Sequence, residues 1–294
     1  MHEENRPQVK GTLYVVATPI GNMRDITLRA LDVLGSVDLI AAEDTRNTGH
    51  LLSHHNIRSK LIALHEHNER NVAAKLIRVL DAGQSVALVS DAGTPAVSDP
   101  GAILVAMVRD AGFKVTPLPG PNAAIAAISA SGLSDPHFFF HGFLPHKSSA
   151  RQRELEGLRE LPYPIIFYEA PHRILECIAD IQAVMGSGRS ITFARELTKI
   201  FETIYSCDLD VALDWLKADP NQQKGEFVLL LSGAQPREKD EMDEVAQRIL
   251  TILMAELPLK QAVKLAADIS GEKKNTLYEL ALKLKVNIPP DEPD

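Results

Sequence analysis

The chain has 294 residues, of which 45% are hydrophobic and 24% charged, and its formal net charge is −8. This composition is typical of a globular protein and excludes a disordered or fibrous chain, while the length suggests two domains with room for a small appendage. The acidic balance disfavours a protein that coats nucleic acid or anionic membrane through bulk charge, although it leaves local basic patches open.

Cysteine usage and the apolar runs predict a cytoplasmic protein with no membrane partner. The two cysteines, Cys177 and Cys207, lie far apart and without metal-ligand spacing, which fits a reducing compartment. The first residues are polar and acidic, unlike the basic and then apolar order of a signal peptide. The longest apolar runs, such as Ile103–Val108, are too short to cross a bilayer.

Short apolar segments alternate with helical patterns over residues 1–120. Amphipathic runs at Ile26–Leu34, with Asp25 as the cap, and at Asn71–Leu80 predict helices. The predicted strands are Leu13–Ala17, Leu39–Ala42, Leu61–Leu64, Val86–Val89 and Val115–Leu118. Uniformly apolar strands between helices indicate a parallel sheet covered on both faces, so this stretch predicts a doubly wound α/β domain.

The break at Gly120-Pro121 predicts the start of a second α/β domain over residues 121–236. Helical patterns at Ser149–Leu161 and Arg173–Met185 separate its first apolar runs, whereas the last runs follow one another without a clear helix, which indicates an antiparallel part. The predicted strands are Phe138–Phe140, Ile165–Tyr168, Ile191–Phe193, Ile204–Tyr205 and Phe227–Leu231.

A polar linker, Gln235–Asp240, precedes a predicted C-terminal helical segment at residues 237–294. Helical patterns cover Glu241–Ala255, Leu259–Ile269 and Asn275–Leu284, and a turn with glycine between the last two predicts a helix-turn-helix. The proline-rich tail from Asn287 is expected to fray.

Ligands of parallel α/β sheets bind beyond the carboxyl ends of the strands, so the segments after the strands hold the chemistry. The turn with Pro19 and Gly21 lacks a dinucleotide or phosphate-loop fingerprint, and an ordinary βα turn explains it equally well. After the second strand come Glu43, Asp44 and Arg46, and charged groups at a strand end are costly to bury unless they are used or paired. We interpret them as part of a functional site at the rim of the sheet; the alternative is a helix cap with a surface ion pair.

The histidines after the third strand, His65 and His67, are interpreted as solvated loop residues, because no third ligand accompanies them. We therefore predict no metal site.

The loop after the fourth strand, Ser90–Gly101, is the clearest ligand-binding segment of the first domain. It is longer than the roughly 2–6 residues of most βα loops, and its small residues, prolines and aspartates suit a loop that wraps a ligand with backbone groups. After the fifth strand, Pro117–Ala124 leads into the small-residue helix Ile125–Ser131, which predicts close approach of a ligand or, equally, tight helix–sheet packing.

In the second domain, Tyr168–Arg173 and Ala194–Glu202 each place acidic, basic and hydrogen-bonding groups after an apolar strand. Several charged strand ends that face one interdomain cleft predict a site there.

These segments together resemble the tetrapyrrole methylase superfamily, the class III S-adenosylmethionine-dependent methyltransferases with two α/β domains and the cofactor between them. The resemblance spans about residues 11–235, and it is closest to the branch that methylates a ribose 2′-hydroxyl of a decoding-centre cytidine in 16S (small-subunit) ribosomal RNA. The strings that carry it are Leu13–Asp25, Glu43–Arg46, His67–Glu69, Ser90–Pro95, Tyr168–Arg173 and Arg195–Lys199.

The resemblance implies S-adenosylmethionine as cofactor, 16S rRNA or the small ribosomal subunit as partner, and a homodimer. It also implies that the cofactor lies against three loops, whose residues are Pro19, Gly21, Asp91, Ala92, Gly93, Thr94, Val97, Ser98, Pro119, Gly120, Pro121 and Asn122. The first loop is less glycine-rich than in tetrapyrrole-methylating enzymes, which favours the RNA branch. The C-terminal helices resemble an extra segment of that branch.

A ribose hydroxyl is a poor nucleophile while protonated, so a base or a stabilising cation should assist it. We hypothesise that Lys199, held by Glu196 or Glu202, lowers the pKa of the hydroxyl or takes its proton; the alternative is a domain-stiffening ion pair. Glu43 and Asp44 are rival bases.

Phosphate contacts are predicted for a small set of basic residues, namely Arg46, Arg173, Arg195, Lys273 and Lys274. Six lysines and three acidic residues lie between Lys260 and Lys285, a net charge of +3, and an ordinary solvated helix face explains them equally well. Rival functions are methylation of a tetrapyrrole or a protein side chain, and a non-catalytic RNA-binding assembly factor.

Overall fold

A computed structural model describes residues 11–235 and 244–286. The chain divides into two units, residues 1–235 and 236–294, each of which is described by itself. In the described ranges, no helix is both long and apolar enough to span a membrane.

The first sheet is built from five parallel strands in the order β3-β2-β4-β1-β5. The strands are β1 (Thr12–Val16), β2 (Leu39–Ala42), β3 (Leu61–Ala63), β4 (Val86–Val89) and β5 (Lys114–Leu118). The connecting helices are α1 (Leu28–Ser36), α2 (Thr45–His54), α3 (Glu69–Asp81) and α4 (Ala102–Asp110). Apolar clusters cover both faces of this sheet, as the uniformly apolar strands predict.

Two local features of this sheet differ from the prediction. Asp25 does not cap α1; it ends a short 3₁₀ turn, and the Thr27 hydroxyl accepts the cap hydrogen bond from the Ala30 N–H instead. Helix α2 was not predicted, because its sequence is polar and only Thr48, Leu51 and Leu52 of it are buried.

The second sheet is mixed, in the order β6-β7-β10-β8-β9. Its strands are β6 (Phe139–Phe143), β7 (Ile165–Glu169), β8 (Ser190–Arg195), β9 (Thr203–Asp208) and β10 (Phe227–Leu231). Only the β6–β7 pair is parallel, which confirms the antiparallel part expected from strands without intervening helices. Its helices are α5 (Ala123–Ala130), α6 (Ser148–Leu158), α7 (Ile174–Met185) and α8 (Ala212–Ala218).

Helix α5 brings the two sheets of this unit together at the site. Its side chains Ala124 and Ala127 pack on Ile166 and Val228 of the second sheet, while Asn122, its cap, follows directly from the strand β5 of the first sheet. The small residues predicted here therefore serve close helix–sheet packing.

The second unit consists of α9 (Glu244–Glu256), α10 (Leu259–Ser270) and α11 (Lys274–Val286). It has its own apolar cluster, formed by residues such as Leu250, Val263 and Leu277. Gly271 ends α10 in the left-handed conformation with φ of 77°, which gives the short turn of a helix-turn-helix. The predicted linker beyond Gln235 and the tail from Asn287 lie outside the described residues.

Candidate functional site

Three loops at the carboxyl end of the first sheet are tied to one another by short hydrogen bonds. The N–H of Thr18 donates to the Gly93 carbonyl at 2.9 Å, and the N–H of Gly93 donates back to the Thr18 carbonyl at 3.0 Å. The Thr94 hydroxyl donates to the Pro121 carbonyl at 3.0 Å. The loops after β1, β4 and β5 therefore form one preorganised surface.

Strained backbone is concentrated in the two loops that face each other here. Ala96 and Ser98 follow β4 with φ of 65° and 64°, and Glu196 and Thr198 follow β8 with φ of 52° and 65°. Non-glycine residues adopt this left-handed region at a cost, and such residues cluster at functional sites.

A buried carboxylate holds the far end of the β4 loop. Glu69 is 5% exposed, and its Oε1 accepts hydrogen bonds from the N–H groups of Gly101 at 3.0 Å and Leu104 at 2.9 Å. It therefore acts as a cap supplied from α3 to the N-terminus of α4, where a negative charge is favoured by the helix dipole.

A cavity of about 370 Å³, here called the central pocket, lies between these loops and the second sheet. Its wall is mostly apolar, with Ile20, Val97, Phe143, Leu197 and Val228 among the lining residues. Among the described residues, its charged lining residues are acidic, namely Asp99, Glu169 and Glu226, and no Lys, Arg or His is part of the lining. Such a cavity suits a ligand that is partly apolar and carries positive charge.

The apolar wall of the central pocket changes the pKa of the Asp99 carboxyl. Burial raises the pKa of Asp99 to about 6, with nearby Glu43 and Asp91 adding to the rise and a hydrogen bond from Ser90 opposing it. A cation in the central pocket would favour the ionised form of Asp99 and relieve this cost.

A second cavity of about 330 Å³, here called the side pocket, adjoins the central pocket. The two cavities share the lining residues Ile20, Ala92 and Glu226. The side pocket is the more polar of the two, and its other lining residues include Asn47, Thr48, His50, Asp91 and Lys199.

Lys199 lies in a triad with two glutamates beside the junction of the pockets. Its Nζ donates at 2.8 Å to both Glu196 Oε1 and Glu226 Oε2. Burial acts to lower the pKa of Lys199, but the hydrogen bonds to Glu196 and Glu226 outweigh it and raise that pKa above its ordinary value. Lys199 is therefore a cation at neutral pH, able to stabilise a negative oxygen but not to take a proton.

Gly21 allows the β1 loop to reach this triad. A Cβ atom on Gly21 would lie 2.6 Å from Lys199 Cγ and 2.8 Å from both the Leu197 carbonyl oxygen and the Thr198 hydroxyl. Real Cβ contacts are longer than this, so any side chain here would force the two loops apart.

Comparison with known proteins assigns the fold that surrounds these pockets. The family described as tetrapyrrole (corrin/porphyrin) methylases matches residues 12–213, and the one described as the RsmI C-terminal HTH domain matches residues 240–285. The chain is 53% identical over 274 residues to ribosomal RNA small subunit methyltransferase I of Escherichia coli O157:H7, a match that covers 93% of this chain and 96% of that protein.

The chain belongs to the tetrapyrrole methylase family.

Within this family it groups with the ribosomal RNA small subunit methyltransferases I. Proteins of that name in Vibrio cholerae and Pseudomonas aeruginosa are 53% and 51% identical to it, over 92% and 93% of this chain and 94% and 97% of theirs. The family and the fold class that the sequence analysis expected are thus confirmed.

Solved structures share the fold at low sequence identity. Diphthine synthase matches with a TM-score of 0.60 at 15% identity, over 76% of this chain and 90% of that one. A uroporphyrin-III C-methyl transferase from Thermus thermophilus, complexed with S-adenyl homocysteine, matches with a TM-score of 0.54 at 16% identity, over 76% and 97%.

The structure places most of the predicted cofactor residues at the two pockets. Ala92, Gly93, Thr94, Val97 and Asn122 line the central pocket, and Pro19, Gly21, Asp91 and Ala92 line the side pocket. The remaining members, Ser98, Pro119, Gly120 and Pro121, line neither pocket. Pro121 instead supports the surface by accepting the hydrogen bond from Thr94.

Asp44 and Arg46 form the helix cap and surface ion pair that the sequence analysis gave as the alternative to a functional rim. The Asp44 carboxylate caps α2 by accepting from the Arg46 N–H, and the Arg46 guanidinium binds it at 2.6 Å and holds its pKa down to about 2. Neither residue lines the central pocket or the side pocket. The rival base Glu43 does not line one either; it accepts a hydrogen bond from the Asp91 N–H at 3.3 Å.

Two predicted phosphate contacts are engaged within the second domain. Arg173 is 7% exposed and binds Glu169 and the Leu144 carbonyl, so the expectation that it grips phosphate does not fit its position. Its charge is needed to balance buried Glu169. The Arg195 guanidinium donates to Thr203 and to the Lys224 carbonyl.

Glu69, Asp99 and Glu226 were not predicted as functional residues. The long β4 loop was singled out, but its composition does not show that Asp99 faces the cavity. Glu226 precedes a predicted strand with no motif around it. Glu69 lies in a stretch interpreted as solvated, and its burial depends on α4, which lies more than thirty residues further along the chain.

Among residues 11–235 and 244–286, no group of three or more His, Cys, Asp or Glu side chains could hold a metal ion. His65 and His67 are exposed, with ring centroids 6.1 Å apart. In the second unit, Lys273 and Lys274 are exposed at the start of α11.

Proposed function

We propose that this protein transfers a methyl group from S-adenosylmethionine to the ribose 2′-hydroxyl of a decoding-centre cytidine in 16S rRNA. The observation that carries the proposal is a pair of joined pockets, one acidic and mostly apolar, the other polar with Lys199 at its wall. The names of the closely similar relatives supply the class of substrate.

The central pocket fits the cofactor in size and in charge. Ligand sites of about 300–1,000 Å³ accommodate molecules of this class, and the pocket of about 370 Å³ falls in that range. Residues of the β4 loop and α5, namely Thr94, Val97, Asp99 and Asn122, would hold the cofactor there. When bound, S-adenosylmethionine supplies a methyl group that its sulfonium activates and releases as a neutral thioether forms.

The acidic lining also disfavours other ligands of α/β folds. A nucleoside phosphate or a dinucleotide brings negative charge, which Asp99 would repel, whereas Glu169 and Glu226 are already paired with Arg173 and Lys199. A cationic methyl donor avoids that repulsion.

Activation of the acceptor is assigned to the triad at the pocket junction. Glu226 lines both pockets, so its free carboxylate oxygen, Oε1, can take the hydroxyl proton while Oε2 stays bound to Lys199. The Lys199 ammonium then stabilises the negative charge that develops on the ribose oxygen. Glu196, whose carboxylate also accepts from the Glu226 N–H at 2.9 Å, positions both partners.

The second unit is proposed to contact rRNA. Lys273 and Lys274 lie at the turn and at the first residue of α11, and helix-turn-helix units present this region to nucleic acid. The homodimer and the cytoplasmic location stay predictions, of which sedimentation of the purified chain tests the first.

The test of this proposal is incubation of the full chain with methyl-labelled S-adenosylmethionine, small ribosomal subunits and a separate sample of naked 16S rRNA. We expect label in rRNA at one nucleotide. Label in ribosomal protein or in a small molecule would contradict the proposed substrate, and binding of rRNA without any label would support a non-catalytic assembly factor.

A further inference from the structure

The side pocket has no ligand assigned to it once the methyl donor is placed in the central pocket. It is contiguous with the central pocket through Ile20, Ala92 and Glu226, so an acceptor whose hydroxyl reaches the junction can place its adjoining atoms in the side pocket. If the proposed function holds, that acceptor is a nucleotide of structured RNA.

The shape and lining of the side pocket suit a single base taken out of its stack. Its volume of about 330 Å³ is that of one small ligand, and Met23, Ile20 and Leu51 offer apolar contacts to the faces of a ring. Enzymes that act on a base extrude the nucleotide into such a pocket, and sequence-specific recognition of RNA in general targets unstacked bases.

Two hydrogen-bond acceptors at the pocket wall, Asp91 and Asn47, are held in a fixed orientation. Asp91 Oδ1 accepts from the Asp44 N–H at 3.0 Å, and Asp91 Oδ2 accepts from Asn47 Nδ2 at 2.8 Å. A carboxylate has about four lone-pair positions, so each oxygen keeps acceptor capacity toward the pocket. Because Asp91 can only accept, the Asn47 amide must turn its nitrogen to Asp91, and its oxygen stays available as a further acceptor.

This pattern distinguishes between bases. A carboxylate accepts a hydrogen bond from the exocyclic amine of cytosine. Uracil has a carbonyl at the same position, which is itself an acceptor, so no hydrogen bond to the carboxylate can form. Adenine and its 6-oxo counterpart differ in the same way.

We infer that the side pocket binds the unstacked base of the target nucleotide and that Asp91, oriented by Asn47, selects a base with an exocyclic amino group. The inference rests on the proposed function, and it assigns Asp91 to substrate specificity, whereas the sequence analysis assigned it to the cofactor.

The test compares paired substrates with the same enzyme preparation, so the ratio does not depend on the fraction of active protein. Small subunits are reconstituted with 16S rRNA that carries, at the methylated position, either the natural base or its oxo counterpart, uracil for cytosine or hypoxanthine for adenine. For wild-type protein we expect single-turnover methylation of the amino-bearing substrate to be about 5- to 150-fold faster.

In Asp91→Asn the Asn47 amide is expected to turn its nitrogen toward the pocket, and the preference should fall to within a few-fold of unity. Asp38→Asn is the matched control, because Asp38 also accepts from a backbone N–H, that of Ser85, but lines neither pocket; it should keep the wild-type ratio. If Asp91→Asn fails to bind S-adenosylmethionine by calorimetry, Asn47→Ala takes its place and must lower the ratio.

Three results separate the possible failures. Equal rates of wild-type protein on both substrates overturn the inference while leaving the proposed function intact. A wild-type preference that Asp91→Asn or, in its place, Asn47→Ala leaves unchanged overturns the role of Asp91. Absence of ribose label on every substrate refutes the proposed function itself.

Discussion

Glu69 offers a test of how the β4 loop is held in the shape that forms the central pocket. The substitution Glu69→Gln keeps the size of the side chain and its acceptor oxygen but removes the charge. Both hydrogen bonds, from Gly101 and Leu104, go to the same oxygen, Oε1, in a buried site at the N-terminus of α4. The variant therefore isolates the contribution of the negative charge.

The expected loss in the free energy of unfolding follows from the two hydrogen bonds that Glu69 accepts. A hydrogen bond to a charged group contributes about 1.5–3 kcal/mol, against about 0.5–1.5 kcal/mol for a neutral one, and the helix dipole adds about 0.3–1 kcal/mol. Since the amide oxygen still accepts, we expect the free energy of unfolding to fall by about 2 kcal/mol. For a domain of this size that corresponds to a fall in Tm of about 4–8 °C.

The same variant should weaken the methyl donor site. Thr94, Val97 and Asp99 line the central pocket from the loop that Glu69 holds at its far end, so S-adenosylmethionine should bind several-fold more weakly by calorimetry. Glu66→Gln is the matched control, because Glu66 is exposed three residues away. If Glu69→Gln matched Glu66→Gln in both urea unfolding and calorimetry, the reasoning about this loop would be refuted.

Three further predictions concern the triad, the central pocket and the second unit. Lys199→Ala should lower the rate of single-turnover methylation about 10²- to 10³-fold with RNA still bound. Lys199→Arg should keep part of the rate, and the control variant Lys224→Ala should keep all of it. A wild-type rate in Lys199→Ala would show that Lys199 serves only in a structural ion pair. Burial raises the pKa of Asp99 to about 6, above its ordinary 3.8, so the folded state binds that proton more tightly than the unfolded state does. Wild-type protein should therefore lose stability relative to Asp99→Asn as the pH rises from about 4 to 6. Parallel curves of Tm against pH for the two proteins would contradict this. The double variant Lys273→Glu/Lys274→Glu should weaken rRNA binding and lower its salt dependence without changing the calorimetric affinity for S-adenosylmethionine. The control variant Lys114→Glu, in the first domain, should leave rRNA binding as in the wild type. Unchanged rRNA binding in the double variant would show that these lysines belong to a solvated face.

Strands were predictable wherever burial on both faces makes the sequence uniformly apolar. Leu39–Ala42, Val86–Val89 and Phe227–Leu231 were predicted with the bounds that the structure has. The edge strand β9 is longer than its apolar pair Ile204-Tyr205, because only alternate residues of Thr203–Asp208 face the core. Polar helix α2 escaped prediction because its buried face is narrow.

The site was predictable as a set of loops but not as a set of side chains. Loop length and composition located the segment around Asp91 and Thr94, since ordinary turns do not need such loops. Which carboxylate is a cap and which faces a cavity depends on contacts between distant segments, such as Asp91 with Asn47 and Lys199 with Glu226. Charge type alone therefore selected Asp44 and Arg173, which the structure uses for capping and for a buried ion pair.

Alkaline hydrolysis of the labelled rRNA distinguishes methyl transfer to a ribose oxygen of small-subunit rRNA from methyl transfer to a base. Alkaline cleavage of RNA requires a free 2′-hydroxyl, so a methyl group on that oxygen protects the adjoining phosphodiester bond. We expect the label to be recovered in one alkali-resistant dinucleotide, and Lys199→Ala to reduce its yield strongly. Label recovered in a mononucleotide would place the methyl group on a base and would refute 2′-O-methylation.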